Sequence, residues 1–211
     1  ASQAFVNPLW GTEGLPRLAG GEAPDSILAD LVARDAGQTA RQAHMIAPDG
    51  RIAQHTGAKC VPWCGHAKAE NVSVAGNMLT GPEVVADTLS TWVEAADLPF
   101  AERLVAAMEA GERAGGDKRG KQAAGLMIYA GQPYPALDLR VDDHDDPLAE
   151  LRRLMAVTEE RYLLFREAMG TVENFSGMVD RTPLDIAIAE NEAKRAAKGI
   201  VSQSRATPLT S

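Results

Sequence analysis

The 211-residue sequence predicts an α+β layered domain. Three observations carry this reading. Helical and extended segments come in groups instead of strict alternation, which disfavours a doubly wound parallel sheet. Pro48, Asp49 and Gly50 form a strong turn signal between two short alternating stretches, marking an antiparallel hairpin over 41–56. The composition, 45% hydrophobic and 24% charged, is ordinary for a soluble globular chain with one sizeable core.

Taken in order, residues 1–6 read as the end of a strand that Asn7 and Pro8 break. "TEGLPRLAGG" forms a short helix starting near Thr12 or Glu13. "PDSILADLVARDAG" is a stronger one, with Ile27, Leu28, Leu31 and Val32 on one face and Gly37 as C-cap. After the hairpin, 57–71 reads as a loop and "NVSVAGNM" as a strand. Thr80 is the expected N-cap of a helix carrying Val84, Val85, Leu89, Trp92 and Val93 at helical spacing. A second helix follows and stops at Gly115 and Gly116. "KQAAGLMIYAG" and "ALDLRV" have strand length, and Asp146 with Pro147 opens a long helix over 148–169. One more helix lies in "TPLDIAIAENEAKRAAKG", and 202–211 is an expected frayed tail.

Charge and composition exclude several function classes. A formal charge of −8 argues against nucleic-acid binding, which needs a basic face. There is no basic block for anionic lipid and no apolar run near the ~20 residues that span a bilayer. Two cysteines are too few for a disulfide scaffold, so a cytoplasmic setting is expected. The first residues do not resemble a signal peptide, and the natural product is expected to begin upstream of Ala1.

Four stretches carry potential chemistry. "GGDKRGKQ" gathers Asp117, Lys118, Arg119, Lys121 and Gln122 among glycines that let a ligand approach the backbone. It is either a carboxylate-binding loop or a solvated helix-to-strand turn. "GNMLTGPEVV" empties Gly76 and Asn77 onto a helix start, where free backbone donors suit an oxyanion; a plain capped helix is the alternative. In "GAKCVPWCGH", Cys60, Cys64 and His66 fall one ligand short of a structural zinc set and lack a paired CxxC, so a structural loop is preferred. In "DDHDD", 142–146, helix capping is preferred, with Asp142 and His144 as minor cation ligands. His44 and His55 read as sheet histidines.

Five stretches in register, "NPLWGTEGL", "GAKCVPWCGH", "VAGNMLTGPEVV", "AGERAGGDKRGKQAAGLMIY" and "DLRVDDHDDPLAELRRL", resemble the DUF1028 family, an uncharacterised group placed among the Ntn (N-terminal nucleophile) hydrolases. The resemblance spans about 1–155. It implies a four-layer αββα sandwich over 1–170, lacking its N-terminal strands in this chain, followed by a helical extension over 171–211. It also implies hydrolysis of an amide bond in a small molecule or short peptide by a Thr, Ser or Cys whose own α-amine is the base. Ala1 has no nucleophilic atom and Ser2 has no free amine, so the nucleophile is expected upstream, on a companion or preceding segment. Asp117, Lys121 and Asn77 are the catalytic candidates. Asn7, Gly76, Arg119, Gln122, Trp63 and His66 are the substrate-binding candidates. No cofactor or metal is expected. Two alternatives stand beside this reading: a non-catalytic binding or accessory relative, and a cation-binding protein using 142–146. Self-association into a homo-oligomer is expected from the superfamily and from Tyr162 and Phe165 on the long helix.

Overall fold

The computed structural model describes residues 1–206, a mixed α/β protein. Among them are three small antiparallel sheets and seven α-helices. None of these helices is long and apolar enough to cross a membrane. By packing, the chain groups into Ala1–Lys121 and Gln122–Ser211, whereas the sequence reading places a domain boundary at 170/171.

In the first unit, β1 (Ser2–Ala4) leads through Asn7 into α1 (Leu9–Ala19) and α2 (Pro24–Arg34). Helix α1 begins earlier than Thr12 because the Asn7 Oδ1 accepts from the Leu9 N–H at 3.1 Å. Helix α2 stops at Asp35, not Gly37; the Asp35 carboxylate instead accepts the Gly37 N–H at 2.7 Å and starts a 3₁₀ turn, Gln38–Ala40. The expected hairpin follows as β2 (Arg41–Ile46) and β3 (Ile52–Thr56), and the sheet order is β1-β2-β3. A second hairpin, β4 (Gly65–Ala69) and β5 (Val72–Gly76), occupies part of the expected loop. Its first strand, "GHAKA", alternates only glycine and alanine with His66 and Lys68, a weak apolar signal, and pairs with β5.

Strand alternation gives the β1-β2-β3 sheet two unlike faces. Ala43 and Ala53 turn toward α1 and α2 and join Trp10, Ile27, Leu28 and Leu31 in a buried apolar cluster. Gln42, His44, Gln54 and Thr56 turn the other way, toward the β4–β5 hairpin. Helix α3 (Glu83–Glu94) lies on β4 and β5, and α4 (Phe100–Arg113) packs against α3. Thr80 is not the cap of α3; that position is Pro82, and the Thr80 N–H is committed to the Gly116 carbonyl at 3.0 Å. Gly115 and Gly116 end α4 with φ of +119° and +54°, backbone that side chains disfavour.

The second unit is built on the hairpin β6 (Ala124–Tyr129) and β7 (Pro135–Val141), with α5 (Pro147–Thr158) against both strands. Leu126, Leu137, Val141, Leu151 and Met155 are its buried side chains. Asp146 caps α5 by accepting the Ala149 N–H at 3.2 Å, as "DDHDD" predicts. The expected helix over 148–169 is broken: α5 ends at Thr158 and α6 (Tyr162–Arg166) restarts separately, with the Tyr162 hydroxyl drawn to the Ala136 carbonyl at 3.3 Å. Helix α7 (Thr182–Ala197) then forms as expected. Of the expected frayed tail, Ser202 and Gln203 are tied to the Glu160 carboxylate at 2.8 and 3.0 Å, and 207–211 lie outside the described residues.

Ile27 is fully enclosed in the α1–α2 cluster. Replacing it with Ala removes buried methyl groups and leaves a cavity, so chemical denaturation of Ile27→Ala should read a loss of about 2–5 kcal/mol.

Candidate functional site

The polar face of β2 and β3 is organised by glutamines. Gln42 is completely buried. Its Nε2 donates to the carbonyls of Gly76 and Gly65 at 2.9 and 3.0 Å and to the Thr56 hydroxyl at 2.9 Å. Its Oε1 accepts from Gln3 Nε2 at 2.8 Å and from Asn77 Nδ2 at 3.2 Å. Gln54 does the same further along, donating to the Ala67 carbonyl at 2.8 Å and the Ser73 hydroxyl at 2.9 Å. Gln3 adds a third link, to the Ala75 carbonyl at 3.1 Å. Three amide side chains therefore join one sheet to the backbone of the other, as buried amides require.

Each hydroxyl beyond them also meets an imidazole. Thr56 Oγ1, reached by Gln42, lies 2.8 Å from His66 Nδ1. Ser73 Oγ, reached by Gln54, lies 2.6 Å from His44 Nδ1. Burial pushes His66 below its ordinary value and pushes His44 from 6.5 down to about 4.

The expected site residues divide between several places. Gly76, Asn77 and His66 converge on the Gln42 network. Trp63 and Asp117 flank the next segment: Trp63 exchanges two backbone hydrogen bonds with Leu79 at 3.0 and 3.2 Å, and Leu79 bridges to Asp117. Asp117 is clamped by Arg119 at 2.6 Å, which holds its carboxyl below the usual range. Lys121 lies 3.5 Å from Glu112, and Lys118 Nζ donates to the Pro62 carbonyl at 2.6 Å. The charges of "GGDKRGKQ" are therefore paired locally. Asn7 stands apart, donating to Asp35 at 2.9 Å beside Arg41; these two partners hold the Asp35 carboxyl down to about 2. Gln122 belongs to the second unit, where it donates to Asp143 at 3.0 Å and accepts from the His144 N–H.

Neither metal nor thiol chemistry assembles around the cysteines. The Cys60 thiol is buried, donates to the Arg41 carbonyl at 3.2 Å and is pushed up by burial, away from the reactive thiolate. The Cys64 thiol faces the Cys60 carbonyl at 3.7 Å, and His66 is engaged with Thr56 instead. In the acidic stretch, Asp142 pairs with Arg140, Asp143 with Gln122, and Asp146 with the helix it caps. Among the described residues no three His, Cys, Asp or Glu side chains converge to hold a metal ion.

A cavity of about 450 Å³ opens in the first unit, bordered by Trp10, Leu18, Met45, Val72, Trp92 and Leu104 with His44 and Ser73 at its polar end. None of the numbered residues nominated from the sequence borders it, but Ala1 and Ser2, which follow the expected nucleophile's segment, do. His44 and Ser73 are 29 positions apart, on strands of different hairpins, and no local pattern announces such a pairing. The one available cue was the alternation of "RQAHMI", which sets Gln42 and His44 on the same strand face.

Two outcomes follow from this geometry. Gln42→Leu leaves the Gly65 and Gly76 carbonyls and the Gln3 and Asn77 amides short of a partner, and urea denaturation should show a loss of roughly 2–4 kcal/mol. Burial makes the folded state take up a proton at His44 less readily than the unfolded chain. Its contribution is complete above about pH 6.5 and is lost as the pH falls through 4, so thermal melts should weaken over that window. Allowing for partial exposure, this is on the order of 1–2 kcal/mol, and His44→Gln should flatten that part of the profile.

Comparison with known proteins agrees with the fold. No curated protein matches the chain. The crystal structure of a DUF1028 protein from Silicibacter pomeroyi is similar, with a TM-score of 0.78 and 28% identity over 85% of this chain and 78% of that one. The model of a family of unknown function, DUF1028, matches residues 1–151. The chain therefore belongs to the DUF1028 family.

Proposed function

We propose that this protein is an amide hydrolase of the N-terminal-nucleophile type, acting on a small molecule or short peptide, with its nucleophile ahead of Ala1. The observation that supports this reading is the order of packing in the first unit: α1 and α2, the β1-β2-β3 sheet, the β4–β5 hairpin, then α3 and α4. That order is compatible with the core of an αββα sandwich of the N-terminal-nucleophile kind, in which the first residue of a strand attacks the amide carbonyl. Its free α-amine titrates near neutrality and takes the proton of the attacking hydroxyl or thiol, then passes it to the leaving amine. Asn77, anchored on Gln42, supplies an amide donor for the developing oxyanion. Trp63, Gly76 and His66 shape the adjoining wall, while Asp117, Arg119 and Lys121 set the local charge.

A second reading, a non-catalytic binding or accessory relative, draws on a different observation. The Asp117–Arg119 and Lys121–Glu112 pairs neutralise the groups that catalysis would use. Intact mass and N-terminal sequencing of the protein from its native source separate the two. A Thr, Ser or Cys terminus upstream of Ala1, whose replacement by Ala abolishes amide hydrolysis, is the expected result. A mature start at Ala1 with no companion chain overturns the hydrolase reading.

A further inference from the structure

We infer that a second copy of this chain docks on the exposed face of α7, the two helices packing antiparallel about a two-fold axis near Glu192. The inference stands apart from the hydrolase reading. Helix α7 lies beyond residues 1–151 of the family match and carries none of the residues assigned to amide cleavage.

Helix α7 is held to its own unit by one face. Leu184 is buried, Asn191 donates to the carbonyls of Glu159 and Glu160 at 3.0 and 2.9 Å, and Arg195 pairs with Glu160 at 3.6 Å. At about 100° per residue these three positions share one side of the helix. The opposite side carries Ile186, Ala189, Ala193 and Ala197, and all four are exposed. Side chains this small on a contact face let a second helix approach closely.

The apolar surface begins ahead of the helix. Val172, Phe175 and Val179 are 72, 97 and 86% exposed. Their loop is closed by the Met178 N–H, which donates to the Ala168 carbonyl at 3.0 Å, and tied by Gln132 to Glu173 at 3.1 Å. These side chains are therefore held out in solvent by a bonded loop. A stable dimer buries roughly 800 Å² per partner, more than one helix face supplies, and the loop makes up the difference.

Charge identifies the occupant as a second copy. Along α7, Asp185, Glu190 and Glu192 come first and Lys194, Arg195 and Lys198 follow, an order complementary to its own reverse. Glu190 and Lys194 stand one turn apart on one flank of the exposed face, and neither is ion-paired among the described residues. A two-fold axis between antiparallel helices lays each flank against itself. With the axis near Glu192, Glu190 of each copy meets Lys194 of the other, giving two symmetric pairs. On the other flank, Asp185 and Glu192 are already held by Arg181 and Arg161 at 2.9 and 2.5 Å. A parallel pairing would set the acidic halves side by side.

Sedimentation equilibrium of the full-length protein over a range of concentrations tests this, and a mass twice that of the chain is expected. Ala193→Arg puts a bulky cation in the middle of the exposed face and leaves the packed side of α7 untouched. It should weaken dimerisation roughly 30-fold or more, with unchanged circular dichroism. Glu190→Lys and Lys194→Glu should each weaken it about 3- to 10-fold, and the double exchange should restore the original affinity to within about 3-fold. A protein that stays monomeric, a dimer indifferent to Ala193→Arg, or single reversals that fail to weaken it or are not rescued together overturns the inference. A monomer whose melting temperature falls in Ala193→Arg has this face covered by its own remaining residues, which overturns it equally. If Ala193→Arg does not fold, the charge exchanges decide alone.

Discussion

The first unit depends on a layer of primary amides between its two hairpins. Sheets that stack face to face usually do so through interdigitated apolar side chains. Here Gln3, Gln42 and Gln54 cross the gap and end on main-chain carbonyls of β4 and β5. Such burial is tolerated only when every donor and acceptor finds a partner, and Gln42 uses both ends of its amide to do so. Gly65 and Gly76 supply two of the carbonyls that amide reaches, at 3.0 and 2.9 Å, and a Cβ at either would run into the side chain of Trp63 or Leu79. The spacing of the layers is consequently set by the reach of a glutamine.

The same layer controls charge. Two relays of identical chemistry, Gln42–Thr56–His66 and Gln54–Ser73–His44, run between the strands in opposite senses. In each, an amide and an imidazole meet at one hydroxyl. Burial favours the neutral ring of both histidines. The interior between the layers is polar without being ionic. That character suits recognition of a neutral polar group better than of an ion.

Charge is concentrated instead on the loops at the rim. Asp117 and Arg119 form a close pair, Lys118 ties the 115–122 loop to Pro62, and Leu79 sits between Trp63 and Asp117. Three separate loop segments, around 62–63, 77–80 and 115–118, are thereby laced together beside the end of the Gln42 network. The hydrolase reading makes this laced rim the frame of the reacting centre.

Much of the local structure was legible because its causes are local. Pro48, Asp49 and Gly50 turn the β2–β3 hairpin, Asp146 and Pro147 start α5, and the spacing of Ile27, Leu28 and Leu31 marks the buried face of α2. These depend on turn chemistry, capping and periodicity, which neighbouring residues supply. Cys60 and Cys64 lie outside helix and strand with Pro62 and Trp63 between them, and both thiols face main-chain carbonyls, whereas His66 of the same stretch falls in β4. What escaped was decided at long range. Strand β4 sets only glycine and alanine on its less exposed face, Thr80 was drawn to Gly116 instead of capping α3, and the helix over 148–169 broke where the Tyr162 hydroxyl meets Ala136. The sequence by itself determined the family, the β2–β3 hairpin and most helices; only the tertiary structure paired His44 with Ser73 and Gln42 with Asn77. The reason is physical: a hydrogen bond between residues 29 or 35 positions apart leaves no periodicity in the chain, and exists only once the strands that carry it are stacked.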